Sequence, residues 1–256
     1  MKNELLKIGP FTIYGYGLMI AIGVLAAYVM AERRAKKDGL RDDLVFGLVI
    51  WCLFGGLIGA KVLYIITQFK DILDGGMSII KLANGFVVYG GIIGGTLGGF
   101  LFCKVKKIDF LKYFDLAMPS VALAQAFGRI GCLLAGCCYG KETHAWYGIT
   151  FRNSELAPNG VSLVPTQIIS SGLDFLLCIV LVLFARRKKA DGQVGALYLM
   201  LYSVGRFILE YYRGDLIRGS VGQLSTSQFI SIFLFVAGAA VFAVCGMRKQ
   251  KQTAEL

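Results

Sequence analysis

The stretch LVFGLVIWCLFGGLIGAKVLYII, residues 44–66, carries a single charged side chain, Lys61, in an otherwise apolar run. A helix rising 1.5 Å per residue needs about 20 residues to cross a hydrocarbon core of about 30 Å, so this segment is long enough to span a membrane. Working outward, comparable runs lie near 12–31, 84–103, 115–137, 167–185, 194–212 and 227–245. The chain is 56% hydrophobic, well above the roughly 45–50% usual for a soluble domain. The expectation is an all-α integral membrane protein of seven transmembrane helices. It is read as one membrane domain over 1–256, with external connecting segments near 67–83 and 138–166.

A net charge of +11 raises the question of nucleic acid, but its distribution answers otherwise. Lys and Arg gather in alternate connections: ERRAKKDGLR (32–41), KVKK (104–107), RRKK (186–189) and MRKQK (247–251). By the positive-inside rule these connections face the cytoplasm, which puts the N-terminus outside and the C-terminus in the cytoplasm. No nucleic-acid partner is needed to explain the charge. The first apolar run is expected to be retained, because its stronger basic cluster follows it, unlike the order in a signal peptide.

FGGLIGAK (54–61) and YGGIIGGTLGG (89–99) repeat glycine at helical spacing. In lipid, such positions let helix backbones approach closely, since packing drives helix association there. The connection YGKETHAWYGITFRNSELAPNGVSLVP (139–165) is long and polar, as befits a loop that borders a site; its lone His144 has no placed partner and is read as a loop residue.

The strongest signal is charge inside the spans. Arg129 lies about 14 residues into the fourth run, roughly 21 Å, and Arg206 about 12 residues into the sixth, roughly 18 Å, so both fall in the outer half. A mid-membrane arginine costs about 2.5 kcal/mol or more and therefore faces a cavity or a partner. Glu210 is one turn beyond Arg206, with Arg213 on the same side, so one reading is a self-neutralising pair; Arg129 has no acidic residue at helical spacing. Tyr14, Tyr16, Lys61 and Tyr89 fall at the same level, where an aromatic belt and a snorkelling lysine are the plainer readings. Two arginines at this depth point to a wet cavity open to the outer leaflet. Guanidinium forks suit phosphate oxygens, which makes an anionic phospholipid the natural ligand.

Of seven cysteines, Cys52, Cys103, Cys178 and Cys245 read as small apolar helix residues. Cys132, Cys137 and Cys138 cluster near the outer end of the fourth run, where small packing residues, a redox pair, and a covalent or metal role all stay open. There is no paired C-x-x-C zinc spacing and no adjacent histidine, so neither a metal nor a cofactor is expected.

Taken together, these segments resemble the prolipoprotein diacylglyceryl transferases over nearly the whole chain. YGYGLM (14–19) is similar to that family's Y-G-L-M element, with Tyr16 at its functional tyrosine. GRIGCLLAGCCYG (128–140) resembles the signature G-R-I-G-N-F-x-N-G-E-x-x-G, with Arg129 on the essential arginine and Gly140 on the closing glycine. YSVGRFILEYYR (202–213) is similar to Y-x-x-x-R-F-x-x-E-x-x-R, which carries over Tyr202, Arg206 and Glu210. PTQ (Pro165, Gln167) and LSTSQ (Gln228) match more weakly. The chain departs at YGGI, where Tyr89 takes the place of the histidine in H-G-G-L, and at Cys132, Cys137, Val164 and Ser170, which replace polar residues.

The resemblance implies a multi-pass enzyme of the bacterial inner (plasma) membrane. It would move diacylglyceryl from phosphatidylglycerol to the lipobox cysteine of a prolipoprotein signal peptide, among bilayer lipids. Arg129, Arg206, Glu210 and Tyr89 would then be catalytic, and Tyr16, Tyr202 and Gly140, with the two arginines, would bind substrate. A phenol titrates near 10 against about 6.5 for an imidazole, so tyrosine in a histidine's place is a poor proton acceptor. The alternatives are an anionic-lipid binder or transporter without catalysis, and a related lipid transferase with another acceptor.

Overall fold

Glycine against glycine sets the packing of the first long helix pair. The computed structural model describes residues 4–8, 11–70, 85–215 and 219–254; of the connection expected near 67–83, residues 71–84 lie outside the described residues. The helices are α1 (Gly15–Lys37), α2 (Val45–Thr67), α3 (Val88–Val105), α4 (Phe110–Ala135), α5 (Thr166–Ala185), α6 (Gln193–Glu210) and α7 (Thr226–Ala254). Six of them are long and apolar enough to cross a membrane, as in a multi-pass membrane protein. The exception is α6, where Tyr198, Tyr202, Arg206 and Glu210 interrupt the apolar surface.

Three small antiparallel ribbons join the helices. None was anticipated from sequence; in the first, β1 (Glu4–Ile8) pairs with β2 (Phe11–Tyr14), with Leu6 opposite Ile13 and Ile8 opposite Phe11. Residues 12–14, placed in the first apolar run above, are therefore strand, and the helix starts at Gly15. The others are β3 (Ile149–Thr150) with β4 (Ser162–Leu163), and β5 (Ser220–Val221) with β6 (Leu224–Ser225).

The chain divides into two compact units, Met1–Met30 with Phe114–Leu256, and Ala31–Tyr113. In the second, α2 lies against α3 through facing glycines. A methyl group on Gly55 would strike the Gly94 carbonyl oxygen, and one on Gly59 would come within 2.8 Å of the Gly94 Cα. The glycine ladder thus does the packing expected of it. The groove of about 610 Å³ along these helices is lined by glycine, aliphatic and aromatic residues and brings no charged side chain to its wall. Lys61, at the end of α2, donates to the Gly85 carbonyl at 3.3 Å and sits 4.8 Å from the centroid of the Phe86 ring.

In the first unit, Ala122, Leu177, Cys178, Leu181, Val194 and Tyr198 form a core among α4, α5 and α6. One carboxylate closes the end of this core. Asp115, 2% exposed, accepts hydrogen bonds from the Gly192 and Gly195 amides and from Lys188 Nζ, each at 2.9 Å. It satisfies two amides at the start of α6 that have no partner within the helix and carries the negative charge favoured at a helix N-terminus. Replacing Asp115 with alanine is expected to cost roughly 2–3 kcal/mol by stranding two amides and leaving Lys188 with Asp191 alone; a lowered unfolding temperature in detergent checks it.

Candidate active site

Five helix ends in the first unit bring the polar residues together: the starts of α1, α5 and α7, and the ends of α4 and α6. Arg129 stands six residues before the end of α4 at Ala135, and Arg206 four before the end of α6 at Glu210. Both therefore lie within the last two turns of their helices.

A cavity of about 690 Å³ runs between α5 and α6 and reaches α4. Arg129, Asp174, Tyr202 and Arg206 are set in its wall among apolar residues that include Leu173, Leu177, Val180, Leu201 and Val204. Cations in a largely apolar wall suit an anionic amphiphile. Arg206 and Glu210 do pair, at 2.7 Å, and the arginine also donates to Ser227 Oγ at 2.9 Å. The pair is 14% and 8% exposed at the side chains, and its contact is close but poorly aligned, which leaves Glu210 Oε2 without a well-directed hydrogen bond.

Arg129 differs. Among the described residues it makes no salt bridge, and the ionisable groups acting on it are Tyr202, Cys132, Asp174 and Cys138. Its cationic head is thus the one available to an incoming anion. Asp174 is a residue the sequence reasoning missed. It is 6% exposed, comes from α5, and lines the cavity with Arg129. The signal was present as a lone acidic residue inside the apolar run 167–185, which is as costly there as an arginine.

Tyr16 opens α1 and packs its ring over Gly131, where an added methyl would come 3.1 Å from the ring. It is thereby held among Arg129, Cys132, Cys137 and Cys138. Tyr202 stacks on Tyr198, centroids 5.6 Å apart, and Tyr198 donates to Gln125 Oε1 at 2.8 Å. Gly140 is a point of close approach. Its amide donates to the Val164 carbonyl at 3.1 Å, it bridges to Arg213, and a side chain there would strike the Val164 backbone. Arg213 is held by Asp215 through two hydrogen bonds, at 2.8 and 2.6 Å. Tyr89 is the second residue of α3 and belongs to the other unit. His144 is exposed in the long connection.

The weaker matches serve the scaffold. Gln228 and Ser225 form a reciprocal cap at the start of α7: Gln228 Oε1 accepts from the Ser225 amide and Ser225 Oγ from the Gln228 amide. Gln167 Nε2 donates to the Cys137 carbonyl at 2.8 Å. The Cys138 thiol is drawn below its ordinary range, first by hydrogen bonds from Cys132 and Cys137 and then by Arg213, while the same sulfur cluster pushes Cys137 up.

Residues 3–244 match the family model described as prolipoprotein diacylglyceryl transferase. The chain belongs to this family. It is 50% identical to the phosphatidylglycerol--prolipoprotein diacylglyceryl transferase of Clostridium tetani, over 98% of this chain and all of that one. It is 44% identical over the full length of both chains to the protein of Clostridium perfringens that bears the same name with the number 2. The similarly named protein of Clostridioides difficile is 32% identical over 96% of this chain and 98% of its own. As a member of the prolipoprotein diacylglyceryl transferase family, the chain has its cavity walled by the same two arginine segments that carry the resemblance.

Close approach at Gly140 has a measurable consequence. Gly140→Ala is expected to cost about 1–3 kcal/mol by overpacking against Val164 and to displace the turn bearing Cys137 and Cys138. Thermal unfolding and cysteine alkylation rates in the purified variant check both effects.

Proposed function

We propose that this chain transfers the diacylglyceryl group of phosphatidylglycerol to the lipobox cysteine thiol of prolipoproteins, forming a thioether and releasing glycerol phosphate. The observation that carries the reading is the cavity of about 690 Å³ with Arg129 and Arg206 set in a largely aliphatic wall. The names of relatives that match the chain from end to end agree with it.

The lipid lies with its acyl chains along the α5–α6 trough and its phosphate at the arginines. Arg129, with no salt bridge of its own among the described residues, takes the phosphate, and Arg206, steadied by Glu210 and Ser227, completes the clamp. The incoming thiol loses its proton, the thiolate attacks glycerol C3, and the C–O bond breaks as electrons pass to the departing phosphate. Cations fixed at the head of the cavity stabilise the charge that develops there. Tyr16 and Tyr202 donate hydrogen bonds to the head group. Asp174 is the carboxylate in the cavity wall and takes the thiol proton. Gly140 serves by keeping the turn close to Val164.

The setting is the bacterial cell membrane, crossed seven times. α6, with Arg206 in the cavity wall, is the sixth of these spans and brings their number to seven, and the N-terminus lies outside. The basic connections support this orientation, as does the alternation of helix starts and ends around the site. The lipobox segment of the prolipoprotein and the surrounding bilayer lipids are then the macromolecular and lipid partners.

Incubating the purified chain with labelled phosphatidylglycerol and a lipobox peptide should add the mass of diacylglyceryl to the peptide cysteine; tight lipid binding without product would leave only a lipid binder. Arg129→Ala and Arg206→Ala should each remove transfer, a loss of about 10²- to 10³-fold or more, in protein whose unfolding is still cooperative. Full activity in either would end the assignment. Asp174→Asn should lower kcat about 10²- to 10⁴-fold with lipid binding retained. Weakened binding at unchanged kcat would instead make Asp174 a partner of Arg129 alone.

A further inference from the structure

Between Ala135 and Gly140 the backbone makes a turn that few sequences would choose. Gly136 has φ +73° and Cys138 has φ +62°, the latter in the left-handed region that disfavours a side chain. The turn is fastened along its length. The Cys137 amide donates to the Cys132 carbonyl at 3.1 Å, Thr166 Oγ1 to the Cys138 carbonyl at 2.7 Å, and Gln167 Nε2 to the Cys137 carbonyl at 2.8 Å. Beyond it, the Gly214 amide donates to the Tyr139 carbonyl at 3.1 Å. This framework turns Cys137 and Cys138 toward Cys132 on α4, so that no two of the three sulfurs are more than 4.8 Å apart.

We propose that Cys132, Cys137 and Cys138 form a three-thiolate binding site for a thiophilic divalent cation of the zinc type. Zinc–sulfur bonds are about 2.3 Å, which sets sulfurs about 4.0 Å apart around a trigonal ion and about 3.8 Å apart around a tetrahedral one. Closing the cluster from 4.8 Å onto an ion therefore takes about 1 Å or less at any pair. No disulfide joins the three cysteines. Cys137 and Cys138 are only partly buried, so an ion can enter from solvent and a fourth position stays open to water.

Charge favours the ion as well. Binding displaces the remaining thiol protons, and three thiolates around a divalent ion carry a net charge of −1. Arg213 acts directly on the Cys138 sulfur, and Arg129 acts on both Cys132 and Cys138. Two cations around an anionic complex offset its burial. Soft sulfur in this number selects zinc-like ions over magnesium and calcium, which require oxygen ligands. Small packing residues would need none of this geometry: Cys137 and Cys138 are not fully buried, and the turn that aims them is conformationally costly.

The test uses the purified full-length chain in detergent with a phosphine reductant, titrated with Cd²⁺. A thiolate-to-cadmium charge-transfer band should rise and saturate at one ion per chain. Cys137→Ser and Cys138→Ser should each weaken binding about tenfold or more, with helix content and unfolding temperature as folding controls. Cys52→Ser and Cys245→Ser should leave the titration unchanged. Independently of any variant, Zn²⁺ should slow alkylation of Cys137 and Cys138, mapped by mass spectrometry. Four results would overturn the site: no saturable band, unchanged binding in the Cys137/Cys138 double serine variant, equal alkylation rates with and without Zn²⁺, or a disulfide among the three that survives the reductant.

Discussion

A guanidinium among apolar helices cannot be left in hydrocarbon, and the arrangement of the first unit follows from that cost. Arg129 lies on α4 with no salt bridge among the described residues, so the structure must supply a polar space around it. It does so with residues from three other helices: Tyr16 from α1, Asp174 from α5, and Tyr202 with Arg206 from α6. Arg206 has a different solution, a carboxylate on its own helix and a serine on α7. One arginine is therefore largely committed to its own ion pair, while the other has no salt bridge among the described residues.

Rigid support for this arrangement comes from the opposite helix ends and from the loop. Asp115 ties α4 to the start of α6 through two amides and Lys188. Near the cavity, Gly140 meets Val164, and Gly214 packs on Gly140 in turn, so that the connection after α4 and the turn after α6 lie in direct backbone contact. Glycine is required here because the neighbouring atoms are backbone and cannot yield as a side chain can. In the other unit the same reasoning governs α2 and α3, where Gly55, Gly59, Gly90 and Gly94 interlock.

The cysteine cluster sits on a turn that other residues hold in place. Cys132 and Cys137 stand where the family signature places an asparagine and a glutamate, yet Gln167, Thr166 and Gly140 still hold the turn. What the turn presents is soft sulfur beside two guanidinium groups.

Much of this protein was legible one residue at a time. Long apolar runs announce membrane helices because hydrocarbon thickness sets a length, and six helices meet it; buried charges announce a site because their cost demands a reason. Thus Arg129, Arg206 and the Arg206–Glu210 pair were readable from spacing alone. The β1–β2 ribbon was not, since its four-residue second strand was absorbed into the apolar run that follows it. Nor was the presence of Asp174 in one cavity wall with Arg129, 45 residues away in sequence, or the convergence of Cys132 with Cys137 and Cys138. Sequence determines which residues are too costly to bury without a partner. Which partner each one finds depends on helix ends brought together in three dimensions, and only the tertiary structure decided that.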